Sequence, residues 1–584
     1  MTATDTTFRH APMVALEQLE HHLGPAGPAA ERSADDLAEE FPVADVAALD
    51  ACDLALHYVP EEYGGRLRDF ERSAALIRAV AGRDLTVAIA HGKTFLGCVC
   101  VWVAGSAEQA RRVAALVAAK VPVSWGLTER EHGSDLVNGE LTAVVDGDVV
   151  RLTGEKYLIN NATRGGLVTV LARVTPEGGP RGFDVYLVQR DRLPGGAYEP
   201  LPKVPTVGIR GADISGFALR EAEVHAVDDR VGEPGTGLET VVRSLQLTRT
   251  LCSSLSLGAA DHGLVEAVRF ASGRELYGKV LADLPAAART LTECYADHLL
   301  NEAFATVATR LIHTVPGELA TVSAAVKYLV PVRTEGLLAR LRGLLGARAW
   351  LLDVRGDEVA QGVGEFQKVE RDHRIVSLFD GNTVVNLSSL VSQFPMVARG
   401  HRAGREPEPG LAVAADLTAE LPPADFAALR LVPMKGVSVL HNLAPAAAEL
   451  ARLAARDPDL TPVAGVVDAL LAGTRELLGE IAVQPIVPPD VPPYAFALAR
   501  RLATMIAGAS AVALWLGNQQ AMSADPLWRK GHWLLAALAR LGVPADDTAL
   551  DASHAVLGTV LRDQVFGSRL TSLLHARLVR ERTA

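Results

Sequence analysis

SWGLTEREHGSDLVNGELTAVVDGDVVRLTGEKYLINN, residues 124–161, decides how this chain is read. Gly126-Leu127-Thr128-Glu129 ends a short apolar run and enters a loop closed by Gly133-Ser134-Asp135, where small residues let backbone amides approach a ligand closely. From Leu141 to Leu152 apolar and polar residues alternate on either side of Asp146-Gly147-Asp148, which is a hairpin signature. The loop is therefore predicted to be carried on β structure.

Outward from this stretch the period changes. Residues 1–120 space their apolar positions three and four apart, in segments such as 43–55 and 70–81, and predict helices. Between them Val59-Pro60-Glu61-Glu62-Tyr63-Gly64-Gly65 reads as a turn. Downstream, the period of two continues to about residue 231, with strands expected at 167–174, 182–189 and 216–219. Helical spacing resumes from Leu238 to about Val397, with breaks expected near Pro285, Pro316, Pro331 and Gly356. A charged stretch, 401–409, reads as a linker into a final Ala/Leu-rich helical region interrupted by a Pro-rich connector at 485–493. The expected organisation is α+β in four domains: 1–121 helical, 122–232 β, 233–400 helical bundle, and 401–584 a C-terminal helical extension.

Whole-chain totals remove several function classes. A chain of 584 residues, 49% hydrophobic and 22% charged, fits a globular protein of several domains. A formal net charge of −12 argues against a nucleic-acid binder. Five cysteines without a CxxC pair argue against a disulfide framework or a zinc ribbon, and Cys98 and Cys100 read as core residues. No metal site is expected. The first residues lack a basic region followed by an apolar block, and the apolar run 503–517 is too short for a membrane span, so a cytoplasmic location without a span is expected. GxGxxG, Walker A, GxSxG and HExxH patterns are all missing.

Four motifs in one order resemble the acyl-CoA dehydrogenase family. Thr128-Glu129 with Gly133-Ser134-Asp135 resembles its Thr-Glu-Pro and Gly-Ser-Asp pair, and Gly154-Glu155-Lys156-Tyr157-Leu158-Ile159-Asn160-Asn161 its Gly-x-Lys-x-Trp-Ile-Thr-Asn. Val59 to Gly65 resembles its Leu-Pro-Glu-x-Tyr-Gly-Gly, and Gly208-Ile209-Arg210-Gly211 its Gly-Ile-Arg-Gly. The resemblance implies a helical N-terminal domain, a β-barrel or sandwich middle domain and a helical bundle. The fourth domain makes the chain similar to the long, very-long-chain type of the family, which implies a homodimer. The implied cofactor is FAD, contacted by Leu127, Thr128, Ser134, Leu158, Asn160 and the Asn382-Thr383 turn. Arg274, in Arg274-Glu275-Leu276-Tyr277-Gly278-Lys279, matches an arginine that reaches the flavin pyrophosphate of a neighbouring subunit.

The implied reaction is α,β-dehydrogenation of an acyl thioester, on CoA or an acyl carrier protein, with electron-transfer flavoprotein or oxygen as electron acceptor. It needs a base, an electron sink and donors that stabilise charge on the carbonyl. Asp380, in Leu378-Phe379-Asp380-Gly381-Asn382-Thr383, stands in the register where common members place a glutamate base, one methylene longer. The position some relatives use instead is Thr248 here, which cannot serve as a base. Phe379, Gly381 and Arg249 are the implied substrate contacts; the acidic neighbour usual before Arg249 is Gln246. Leu158 stands for the usual Trp and Asn160 for the usual Thr, while the family's Gln-x-x-Gly-Gly is altered to Arg342-Gly343-Leu344-Leu345-Gly346. These departures suggest a specialised member, for instance one desaturating a carrier-bound chain for an antibiotic or other secondary-metabolite lipid. A flavin oxidase or monooxygenase on the same fold, or a non-catalytic flavin scaffold, are the competing readings.

Overall fold

The computed structural model describes residues 9–25, 29–352, 365–484 and 491–579. Gly356 and most of the 485–493 connector lie outside the described residues. Helices Phe70–Arg83 and Leu85–Ala104 form where apolar spacing predicts them, each started by an aspartate cap: Asp69 accepts from the Arg72 N–H, and Asp84 from the N–H groups of Thr86 and Val87. The helix expected over 43–55 is shorter, Val43–Ala51. Asp53, at φ 54°, turns the chain there into a 3-10 turn, Leu54–Tyr58. Cys98 and Cys100 are fully buried on Leu85–Ala104. Leu85–Ala104 and Pro493–Asn518 are long and apolar enough to cross a membrane, but 78% and 72% of their most apolar windows are buried inside the protein.

The middle region is one mixed sheet. Its strands are β1 Val123–Gly126, β2 Thr142–Asp146, β3 Val149–Asn160, β4 Leu167–Arg173, β5 Phe183–Gln189, β6 Tyr198–Leu201, β7 Ile214–His225 and β8 Arg230–Val231. Their order is β6-β7-β3-β2-β4-β5-β8, with β1 added parallel to β4. The β2–β3 hairpin closes through Gly147 and Asp148, where Gly147 takes φ 61°. Val150, Leu152, Phe217 and Leu219 from the β3–β7 half share one buried cluster with Val168, Val170, Tyr186 and Val188 from β4–β5. The sheet thus curls over its own small core. The other face of β4 and β5, carrying Leu167, Leu171, Phe183 and Leu187, joins the main helical core.

Beyond the sheet, helices Gly237–Leu251, Ser253–Gly273, Pro285–Thr314, Leu319–Leu345, Glu365–His373 and Thr383–Arg402 build the bundle. Pro285 starts a helix and Pro316 lies in the 3-10 turn between two, but Pro331 does not break the chain as its residue type predicts: it lies inside Leu319–Leu345. Burial of Val322, Val326, Val330, Leu337, Leu338 and Leu341 along that helix offsets the roughly 3 kcal/mol local cost of an internal proline.

The C-terminal helices are fixed to the bundle by buried polar contacts. Arg310 donates to the carbonyls of Val413, Ala414, Asp416 and Ala419. Thr571 donates to Asp261 at 2.6 Å and the Leu573 N–H to Glu302 at 2.8 Å, and both carboxylates are paired to Arg78 of the N-terminal region. One arginine therefore ties three parts of the chain together.

Candidate active site

The loop after β1 is held by a buried ion pair. Lys156 Nζ donates to Glu129 Oε1 at 2.7 Å and to the Leu127 carbonyl at 3.1 Å, while Glu129 accepts from the N–H groups of Glu140 and Leu141. Burial pushes the Glu129 carboxyl up, but Lys156 and the two N–H groups outweigh it and hold it below its usual range. Burial also lowers Lys156, with Glu129 offsetting part of the effect. The Tyr157 N–H bonds the Thr128 carbonyl at 2.9 Å, so the loop lies along β3. There the β3–β7 register slips between Tyr157 and Ile159. The bulge leaves Leu158 at φ 56° and 47% exposed, aiming an apolar side chain out of the sheet. Both polar atoms of the Asn160 amide are buried and have no hydrogen-bond partner among the described residues.

The second half of the site is the turn at 378–383. Asp380 and Gly381 are consecutive positive-φ residues, at 56° and 89°, and the turn they make is held by cations and an amide. Arg249 Nε donates to the Asp380 carbonyl at 3.0 Å, Lys327 Nζ to the Val376 carbonyl at 2.7 Å, and Asn386 Nδ2 to the Gly381 carbonyl at 2.7 Å. A Cβ at Gly381 would lie 2.9 Å from Arg249 Nη2, which would have to shift, and the φ of 89° is one that L side chains rarely adopt. Asn382 then caps helix Thr383–Arg402 by accepting from the Val385 N–H, and its Nδ2 donates to Ser134 Oγ at 3.2 Å. The two halves thereby meet.

The Asp380 carboxylate faces groups that the motifs did not single out. Lys93 Nζ lies 3.7 Å from Oδ1 and 3.6 Å from the centre of the Phe379 ring, and the Cys252 thiol donates to Oδ2 at 3.4 Å. Burial first, then Asp380, pushes the Cys252 thiol well up, so it stays neutral. Buried Lys327 is lowered to about 8, chiefly by desolvation. Lys93, Cys252 and Phe379 also line a cavity of about 30 Å³ that runs between Ile89, Phe95, Leu96, Leu251 and Leu255, with Thr248 in its wall. Lys93 was findable in the sequence as the single Lys or Arg in the apolar run LTVAIAHGKTFLGCVCVWVA. Nothing local marks Cys252 or Lys327.

Arg274 is not brought to this constellation. It is exposed just before a two-stranded hairpin, Glu275–Leu276 with Lys279–Val280, whose tip, Tyr277, is 95% exposed. Arg342 instead pairs with Glu370 and lies over the Trp350 ring.

The outward Leu158, the unpartnered Asn160 amide and the Ser134–Asn382 contact fit a flavin. They supply an apolar platform, an amide able to donate or accept, and a polar edge.

Sequence comparison finds the acyl-CoA dehydrogenase N-terminal domain over residues 26–120, the middle domain over 124–222 and the C-terminal domain over 235–393. A probable acyl-CoA dehydrogenase of Mycobacterium leprae is 30% identical over 248 residues, 42% of this chain and 63% of the relative. The chain thus spans less than two thirds of that relative's length. Among solved structures, an acyl-CoA dehydrogenase complexed with FAD from Bacillus anthracis aligns with TM-score 0.67 at 17% identity, over 97% of this chain and 96% of that one. The prolyl acyl carrier protein oxidase AnaB aligns with TM-score 0.60 at 18% identity, over 66% and 99%. With all three of its domains matched in order along one chain, this protein belongs to the acyl-CoA dehydrogenase family.

Proposed function

We propose that the chain is an FAD-dependent acyl thioester dehydrogenase in which Asp380 removes the α proton. The observation that carries this is that the Asp380 carboxylate meets Lys93 and Cys252, two residues in the wall of a largely apolar cavity, on a turn tied to the Ser134 loop. The Asp380 carboxylate accepts from the Cys252 thiol through Oδ2 and faces the Lys93 ammonium, 3.7 Å away, through Oδ1. As the α C–H bond breaks, its proton moves to the Asp380 carboxylate and negative charge grows toward the thioester carbonyl. Lys93, Lys327 and Arg249 put three cations near that charge, two of them hydrogen-bonded to backbone carbonyls. FAD, when bound, supplies the acceptor for the hydride that leaves the β carbon. Leu127, Thr128, Ser134, Leu158, Asn160, Asn382 and Thr383 of this chain would hold it, with Arg274 serving a second copy in a homodimer.

The acyl group is carried on CoA or an acyl carrier protein, with electron-transfer flavoprotein as the acceptor. The test is anaerobic: FAD-loaded protein is mixed with a panel of thioesters on both carriers, and the flavin absorption near ~450 nm is followed with product mass. Bleaching with loss of two hydrogens from the acyl chain supports the reading. Protein that holds FAD and bleaches with no thioester is a scaffold, which removes it.

A further inference from the structure

The cavity lined by Phe379 is apolar but for Thr248, Cys252 and Lys93. Of the residues around it, Lys93 is the single charged side chain. Its stem follows the wall made by Ile89 and Leu96 on the same helix, and its side chain is 15% exposed. The ammonium carries three donors. Among the described residues it has a carboxylate oxygen at 3.7 Å, beyond hydrogen-bond reach, and the face of Phe379 at 3.6 Å. The ammonium is partly open to solvent, and a ligand that filled the cavity would replace its water, so an acceptor on that ligand is favoured.

Charge in the neighbourhood says which kind. Lys327 and Arg249 donate to the backbone carbonyls of Val376 and Asp380, so neither has a carboxylate of its own here. Three cations surround one carboxylate, Asp380. A neutral alkyl chain filling the cavity would strip water from Lys93 and return nothing, and an aminoacyl chain would add a fourth cation. A carboxylate would balance the excess and draw Lys93 away from the base.

We propose that Lys93 makes this site select acyl thioesters whose acyl chain is short and ends in a carboxylate. The proposal rests on the dehydrogenase reading above and adds the substrate class. Length follows from reach. A base oxygen sits within about 3.5 Å of the α carbon it deprotonates, and an ammonium–carboxylate hydrogen bond spans about 2.8 Å. With Lys93 Nζ 3.7 Å from that oxygen, the substrate carboxylate falls a few bonds beyond the α carbon, as in a four- or five-carbon dicarboxylic acyl group.

The test uses two unreactive pantetheine thioethers of matched length, one with a 4-carboxybutyl and one with a pentyl group, because pantetheine is common to CoA and carrier proteins. Binding to the FAD-loaded protein is measured by calorimetry. The carboxylate compound is expected to bind about 10- to 100-fold more tightly, the range for a hydrogen bond to a charged group. Lys93→Met should abolish that preference while the pentyl compound binds as well or better, and Lys93→Arg should restore most of it. Equal binding of the two compounds by the parent protein, or an unchanged preference in Lys93→Met, overturns the proposal. The companion measurement is flavin bleaching by glutaryl and pentanoyl pantetheine thioesters. Bleaching by both at equal rates removes the selectivity and leaves the dehydrogenase reading standing, whereas bleaching by neither, with neither thioether bound, removes both.

Discussion

Asn382 Nδ2 donates to Ser134 Oγ at 3.2 Å across 248 residues of chain, joining the loop after β1 to the start of helix Thr383–Arg402. The same side chain caps that helix through its oxygen, which accepts from the Val385 N–H at 2.9 Å. One amide thus fixes a helix end and links the two halves of the site.

The two roles separate by mutation. Asn382→Ala removes cap and link together and should lower stability by about 1 kcal/mol, the usual worth of an N-cap, while weakening FAD retention. Ser134→Ala removes the link alone and should weaken FAD without moving the melting temperature. Titration of FAD into both variants, beside their thermal unfolding, checks this; unaltered FAD affinity in both would mean that the contact does not belong to the cofactor site.

Lys156 holds the cradle loop from beneath. Lys156→Met leaves the Glu129 carboxylate buried without its cation, and breaking such a pair typically costs about 3–5 kcal/mol. Urea unfolding should show that loss, and FAD occupancy should fall because the Leu127 carbonyl also loses its donor. A double variant, Lys156→Met with Glu129→Leu, should recover stability more than FAD binding.

Glu318 predicts how attachment of the C-terminal extension depends on pH. Its carboxylate accepts from the Ser438 N–H at 2.7 Å and hydroxyl at 2.6 Å, yet burial raises its pKa from 4.5 to about 7. The folded value is the higher, so the stabilising contribution is complete below pH 4.5 and is lost as pH rises through about 7. The difference is on the order of 3 kcal/mol. Unfolding free energies measured from pH 4.5 to 8 should carry this decline, and Glu318→Gln should flatten it. A slope identical in parent and variant would locate the pH dependence elsewhere.

The local signals were strong where one short stretch decides its own conformation. Asp146-Gly147-Asp148 closes the hairpin as its residues demand, and the period of two marks β3, β4, β5 and β7. The resemblance placed Ser134 and Asn382 in one site, although nothing in the residues themselves relates positions so far apart. Pro331 shows the opposite failure, since its local penalty is overridden by packing that a linear pattern does not contain. Lys93 is a similar case: a lysine in an apolar helix is visible in sequence, but its partners Asp380 and Phe379 are brought to it by the fold of another domain. Arg274, which the resemblance also put at a flavin, is exposed and is not brought to the other named residues within the chain.

Asp380, the proposed base, gives the sharpest prediction. Asp380→Asn keeps volume but removes the basic oxygen, so flavin reduction should fall at least ~100-fold while FAD and thioester still bind. Asp380→Glu tests whether aspartate is a defect or a fit. Residue 380 has φ 56°, a conformation that aspartate adopts more readily than a longer side chain. Its oxygens already lie 3.4 Å from Cys252 Sγ and 3.7 Å from Lys93 Nζ, both in the wall of the cavity. An added methylene would drive the carboxylate into the thiol or into the space meant for the acyl group, and about 1 Å of misplacement costs on the order of 100-fold. Asp380→Glu should therefore be slower than the parent despite carrying the residue common in relatives. Single-turnover flavin reduction with a verified thioester reads both variants. A glutamate variant as fast as the parent would show that the site was not reshaped around aspartate, and an asparagine variant as fast as the parent would remove Asp380 as the base.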